Sequence, residues 1–294
     1  MIMQNGDSNQ ITREYFEQIL IEMRHIDNVK PSVKTTFFGE DFDTPIATAA
    51  LSHLNNTCED GMAKMAEGAK LAGALCFSGM AEKDELQGMC ATGAKVIKII
   101  KPHADNEKVF EKIREAEDCG AFAVGMDIDH AFSGNGEYDC VVGLDMRPKS
   151  FDELKSFISA TKLPFVIKGV LSVSDAIKAY EAGAKGIIVS HHHGIMRYAI
   201  PPLMVLPDIV EAVGDKLTIF VDCCVESGMD TFKCLALGAD GVCVGRGIMD
   251  PLKDKGAEGV KDTINEMTAE LKGAMARTGF ADVDSIEDSV IWNA

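Results

Sequence analysis

Residues 163–194 read LPFVIKGVLSVSDAIKAYEAGAKGIIVSHHHG, and the order of residue types along this stretch decides the architecture. Pro164–Ile167 is a short apolar run with little polar alternation, the mark of a strand buried on both faces. Ser172–Ala182 follows with apolar side chains at Ala176, Ile177 and Tyr180, a helical spacing. Gly183 then ends the helix in the left-handed conformation, where only glycine is free of strain. Gly186–Ser190 is a second apolar run, and it opens into His191, His192 and His193.

Working outward, the same rhythm runs through the chain. Apolar runs recur at Thr44–Ala50, Gly73–Phe77, Lys95–Ile100, Ala121–Met126, Leu217–Val221 and Gly241–Val244. Helical patterns lie between them at Cys58–Ala72, Asn106–Cys119 and Asp230–Leu237, and Gly73, Gly120 and Gly238 repeat the glycine stop just before a strand. Eight such alternations predict a closed (β/α)8 barrel (TIM barrel), since a doubly wound sheet usually has about five to seven strands. Residues 1–33 read as an N-terminal helical extension with its helix at Arg13–Arg24, and residues 34–294 as one barrel domain. Lys34–Phe42 is expected to be a hairpin capping one end, Gly256–Gly279 the eighth helix, and Asp282–Ala294 a short closing element.

Composition narrows the class. Of the 294 residues 46% are hydrophobic but only 6% aromatic, so the core is aliphatic, as in parallel α/β proteins. A net charge of −17 argues against nucleic acid or an anionic membrane as partner, because both reward basic surfaces. The nine cysteines are odd in number and form no CxxC pair, which reads as reduced thiols used as small hydrophobes. No apolar run is long enough to span a bilayer, and Met1–Thr12 lacks the apolar core of a signal peptide. The expectation is a soluble cytoplasmic protein that handles a small molecule.

In such a barrel the chemistry sits just after each strand. The residues there are Ser78, Lys98 to Lys101, Asp127 and Asp129, Lys168, Ser190 with the three histidines, Asp222 with Cys223 and Cys224, and Gly245-Arg246. Lys168 ends an apolar strand, so it must be charged against an anion or have a depressed pKa. It could stabilise negative charge, form a Schiff base, or pair with Asp127, Asp129 or Asp222. Adjacent residues alternate in direction, so one or two of the histidines face the mouth. One of them acting as general base is favoured over a metal site, which needs three convergent ligands. Gly245-Arg246-Gly247, after the last strand, suits a phosphate.

Pro164 to Ser190, read with IFVDCCVESGMDTFKCLALGADGVCVGRGIM, resembles the FMN-dependent α-hydroxy-acid oxidase and dehydrogenase family, which includes glycolate and lactate oxidases. The likeness extends through TPIATAALSH, GALCFSGM and FEKIREAEDCGAFAVGMDID and covers most of the chain from about residue 34. It implies a barrel with FMN at its mouth and, since the family is often tetrameric, a homo-oligomer. By position it implies His192 as the base that takes the substrate hydroxyl proton, Asp129 as its orienter, and Lys168 beside the flavin N1 and O2. Ser78, Lys98, Asp127, Ser190, Asp222, Gly245 and Arg246 fall in the flavin site; no metal is implied.

The chain also departs from the family pattern. Its DGGIR run is Asp222-Cys223-Cys224-Val225-Glu226 here, so both glycines are replaced and a phosphate-binding arginine becomes a glutamate. The substrate-carboxylate arginine is Ile195, with Arg197 two positions on. The flavin-side glutamine and tyrosine are Lys98 and Ile100, and the first flavin-loop proline is Ala50. Three readings follow. The first is an FMN oxidoreductase acting on a small hydroxylated substrate that is not a standard α-hydroxy acid. The second is a flavin-free lyase or isomerase on a phosphorylated or carbonyl substrate, using Lys168 and His192. The third is a non-catalytic ligand-binding barrel.

Overall fold

The computed structural model describes residues 5–292. Eight parallel strands close into a barrel: β1 (Ile46–Leu51), β2 (Cys76–Ser78), β3 (Val96–Ile100), β4 (Ala123–Asp127), β5 (Phe165–Val170), β6 (Gly186–Val189), β7 (Thr218–Val221) and β8 (Gly241–Val244). The ring is sealed by β8 against β1, with Val242 opposite Ile46 and Val244 opposite Thr48. Helix α1 (Ser8–Gln18) precedes the barrel. Around it run α2 (Gly61–Leu71), α3 (Lys83–Ala91), α4 (Asn106–Asp118), α5 (Phe151–Ser159), α6 (Val173–Ala182), α7 (Pro202–Val213), α8 (Gly228–Ala236), α9 (Met249–Lys255) and α10 (Ala257–Thr278). The glycine stops are where the sequence puts them: Gly73, Gly120, Gly183 and Gly238 all have positive φ. Helix α3 carries too little apolar periodicity to be read, because only Leu86 and Met89 of its residues are buried.

Strand phase decides which side chains fill the barrel. Ala47, Leu75, Phe77, Ile97, Ile99, Ala123, Val166, Ile188, Phe220 and Cys243 form one buried cluster drawn from all eight strands. Their neighbours in sequence, such as Cys76, Val96, Ile100, Val124, Ile167 and Val242, pack outward under the helices in a second, larger core. A hairpin, Thr35–Phe37 with Glu40–Phe42, puts Phe37 and Phe42 into the interior cluster. The Phe37 ring lies 4.8 Å from Phe220, which in turn lies 5.2 Å from Phe77. This is the expected cap, and it plugs the end opposite the chemistry.

The N-terminal helix lies earlier than the apolar pattern suggested. Asp7 caps it by accepting from the backbone N–H groups of Asn9 and Gln10, and Ile19 leaves it in an extended conformation. Leu20–Ile21 then pairs antiparallel with Ile291–Trp292, tying the two ends of the chain together. The expected closing element is thus this strand with the turns before it; residues 1–4 and 293–294 lie outside the described residues. Among the described residues no helix is long and apolar enough to cross a membrane.

Candidate active site

Continuing the inward phase by two residues on each strand brings a charged layer above the apolar plug. Lys101, Asp127, Lys168, Ser190 and Asp222 follow Ile99, Gly125, Val166, Ile188 and Phe220 in this way. The Lys101 Nζ donates to Asp127 Oδ2 at 2.6 Å. Lys168 Nζ lies 3.6 Å from Asp127 Oδ1 and 3.7 Å from Asp222 Oδ2. Burial works against the Lys168 ammonium, yet Asp127, Asp222 and Asp129 outweigh it and hold its pKa above the ordinary lysine value. Burial likewise opposes the Asp127 charge, but Lys168, His192 and Lys101 keep its carboxyl well below the usual range. A lysine held protonated in this way is a poor amine nucleophile, which disfavours a Schiff base.

His192 sits over this layer. Its Nδ1 lies 2.7 Å from Asp129 Oδ1, 3.3 Å from Asp127 Oδ1 and 3.3 Å from Lys168 Nζ. Burial disfavours its charge, but hydrogen bonds to Asp127 and Asp129 prevail and raise its pKa to about 9. Burial and the repulsion of Asp127 push Asp129 up to about 6, against the pull of His192 and Lys168. Between those values the pair is an imidazolium on a carboxylate. His192 and His193 both have positive φ, 48° and 56°, and both line the cavity. His191 points away instead, its Nε2 2.8 Å from Thr12 Oγ1 of α1. A neighbour missed in the sequence is His130, whose ring meets that of His192 edge-on with centroids 4.3 Å apart and whose Nδ1 lies 2.9 Å from Asp139 Oδ2. Asp127, Asp129 and His192 bring ligand atoms within 4.8 Å of one another, but the Lys101 and Lys168 ammonium groups already serve this cluster as its cations.

These groups border a cavity of about 540 Å³, of a size suited to a cofactor. Of the sequence-derived site residues it is lined by Lys168, His192, Asp222, Gly245 and Arg246; Ala49, Ala50, Leu51 and Met249 supply apolar wall. Asp127, Asp129 and Ser190 stand behind the wall. Ser190 Oγ accepts from the His192 backbone N–H at 3.0 Å. Two expectations need correction. Lys98 has the opposite phase from Ile97 and Ile99, and its Nζ donates to the carbonyls of Gly79 and Ala81 outside the barrel, with burial pushing its pKa down to about 7. Its place near the site is taken by Lys101. Ser78, out of phase with Phe77, is fully buried away from the cavity wall, and its hydroxyl has no partner.

The family model described as FMN-dependent dehydrogenase matches residues 3–151 and 145–293. The chain belongs to this family. A 2-hydroxyacid oxidase of Dictyostelium discoideum is 27% identical, over 98% of this chain and 84% of that protein. An L-lactate oxidase of Lactobacillus jensenii is 28% identical, over 97% and 77%. The crystal structure of a mandelate oxidase superposes with a TM-score of 0.88 at 26% identity, over 97% and 90%. A variant of that enzyme has been solved with a monooxide FMN adduct, at a TM-score of 0.87 over 97% of this chain and 91% of that one. This FMN-dependent dehydrogenase family member is an oxidoreductase, and its cofactor is FMN.

The residues present fit that cofactor. A fixed cation, Lys168, sits at the cavity floor beside apolar walls, and a second, Arg246, at the rim after β8. The loop after β7 keeps a left-handed backbone at Cys223 and Cys224, with φ of 70° and 61°, although neither is glycine. Two successive side-chain-bearing residues there cost about 1–2 kcal/mol each. The loop path natural to paired glycines has therefore persisted without them. Glu226 lies on the cavity edge but is exposed, so solvent screens its charge.

Proposed function

We propose that this enzyme oxidises a small hydroxylated compound other than a standard 2-hydroxy acid, with His192 as the base. The observation that carries the reading is the 2.7 Å contact of His192 Nδ1 with Asp129 at the wall of the cavity. With Nδ1 engaged, Nε2 is the atom that takes the proton of a substrate hydroxyl, and it does so from the neutral imidazole, so turnover should rise as pH approaches about 9. Asp129 orients the ring and stabilises the imidazolium that results. Lys168 is the fixed positive charge for an electron-rich ring edge, Arg246 and Gly245 hold the phosphate, and Asp222 keeps Lys168 in place. Bound FMN supplies the two-electron acceptor for the substrate's C–H electron pair.

The substrate class follows from what surrounds His192. A carboxylate in such a site calls for a bidentate arginine. Position 195 is isoleucine, and Arg197 donates to the Asn5 carbonyl. Arg147, on the loop after β4, is paired with Glu153 at 2.6 Å and with Asn106 at 2.9 Å, and Lys101 is committed to Asp127. Anaerobic mixing of the FMN-loaded protein with glycolate, lactate and mandelate, and with uncharged diols, hydroxyamides and hydroxyketones, tests the reading. Bleaching of the flavin by an uncharged member, lost in His192→Gln, is the expected result; efficient bleaching by the acids would overturn it. The exposed Ile195, Met196, Tyr198 and Met204 support a homo-oligomer, which light scattering would check.

A further inference from the structure

The end of the cavity beyond Lys168 is walled by the N-terminal helix as well as by the barrel loops. Asn9, Gln10 and Arg13 of α1 share it with Cys224, Glu226 and Arg246. Arg13 is the junction. Its two terminal nitrogens grip Asp230 of α8 at 2.7 and 2.9 Å, and Nη1 also donates to the Cys224 carbonyl at 3.1 Å. Asp230 in turn accepts from the Glu226 backbone N–H at 3.1 Å. One arginine therefore fixes both the helix and the left-handed loop that succeeds β7. Its remaining donor, Nε–H, is buried and has no partner, an unusual state for a buried polar group.

The charge balance of this end asks for a second cation. A phosphate monoester is close to a dianion at neutral pH, and the loop offers Glu226 where a basic side chain would serve it. Among the described residues on the cavity wall the permanent cations are Lys168, Arg246 and Arg13. Lys168 is engaged by Asp127 and Asp222, and Arg13 by Asp230 and, at 3.1 Å, by Glu17, but Arg13 keeps one donor, Nε–H, without a partner. We propose that Arg13 is a cofactor-phosphate ligand contributed by the N-terminal helix, donating through its unused Nε–H beside Arg246. Asn9 and Gln10 complete that wall. The helix is then part of the cofactor site, and its docking is coupled to the phosphate. This inference rests on the reading that places the phosphate at the Arg246 end.

Flavin fluorescence quenching, with FMN and with riboflavin as probes, tests it on the whole chain. The wild type should bind FMN more tightly than riboflavin, and Arg13→Gln should lose about tenfold in FMN affinity, the value of one hydrogen bond to a charged group, with riboflavin binding unchanged. Hydrogen exchange on the wild type gives a readout that no folding defect can confuse: FMN should slow exchange in residues 8–18 more than riboflavin does. Equal weakening of both probes by Arg13→Gln, no weakening of either, or equal protection of α1 by both would overturn the proposal. Arg246→Gln separates the two levels. Loss of FMN preference there but not in Arg13→Gln sinks only the role of Arg13. A wild type without any FMN preference sinks the phosphate placement and the proposal together.

Discussion

Replacing Asp129 with asparagine isolates the charge that sets the proton affinity of the proposed base. His192 is raised from 6.5 to about 9, a difference worth roughly 3 kcal/mol between its two protonation states. Two carboxylates share that effect, Asp129 at 2.7 Å and Asp127 at 3.3 Å, and Asp127 is also engaged by both lysines. An opposite charge this close is worth about 1–3 pKa units, so Asp129→Asn should bring the His192 midpoint down to roughly 7.5. Nitrogen-detected NMR of imidazole-labelled protein between pH 5 and 10 would read it directly, with His192→Gln identifying the resonance. Stability should barely change. The raised His192 pKa contributes stability that is present below pH 6.5 and is lost as pH rises through about 9. The raised Asp129 pKa, from 3.8 to about 6, acts with the opposite sign: it costs roughly 3 kcal/mol above pH 6. The two nearly cancel in the neutral range. A wild-type midpoint near 6.5, or one that Asp129→Asn leaves in place, would refute the electrostatic account of this pair.

Two further substitutions test the barrel's charged layer. Lys168→Met leaves Asp127 and Asp222 without their shared cation, so it should lower stability by about 3–5 kcal/mol in denaturant titrations, together with loss of flavin content on purification; a variant that stays stable and yellow would remove Lys168 from the cofactor site. Lys98→Met, by contrast, should leave the visible spectrum and FMN affinity unchanged while costing about 1–3 kcal/mol through the unpaired carbonyls of Gly79 and Ala81. An altered flavin spectrum in that variant would mean that Lys98 reaches the cofactor after all.

The barrel was legible because each of its signals is local. The apolar runs from Thr44 to Val244 and the glycines at 73, 120, 183 and 238 carry strand burial and helix termination without reference to the rest of the chain. Lys168, His192, Asp129, Asp222 and Arg246 were reachable for a related reason, since each stands at a strand end. What the strand-end rule lacks is phase. Lys98 is the middle residue of β3 and Lys101 the one just past its end, and the inward phase of Ile97 and Ile99 separates the one that supports Asp127 from the one that caps the neighbouring loop. Ser78 is likewise one residue out of step with the inward-facing Phe77. β3 reads VIKII, with aliphatic residues in both phases, so its inward face is set by packing in the closed barrel and leaves no alternation in the sequence.

Other parts of the site depend on distant segments and leave no local trace. His130 gains its meaning from the ring of His192 and the carboxylate of Asp139, which a strand end and two loops bring together. Arg13 lies in what reads as an extension to the domain, on a helix whose apolar face is slight. Yet the three-way contact among Arg13, Asp230 and Cys224 makes that extension a structural support of the loop after β7. The same contact bears on the altered glycine motif. Cysteines at 223 and 224 raise the cost of a left-handed loop, and such a cost is tolerated only where surrounding contacts over-determine the backbone. Arg13 on the Cys224 carbonyl, Asp230 on the Glu226 amide and the Cys223 thiol 2.9 Å from Asp222 are those contacts. The substitutions in the phosphate motif and the docking of the N-terminal helix are therefore two sides of one arrangement, and removing the helix should undo the loop that the cysteines alone would not hold.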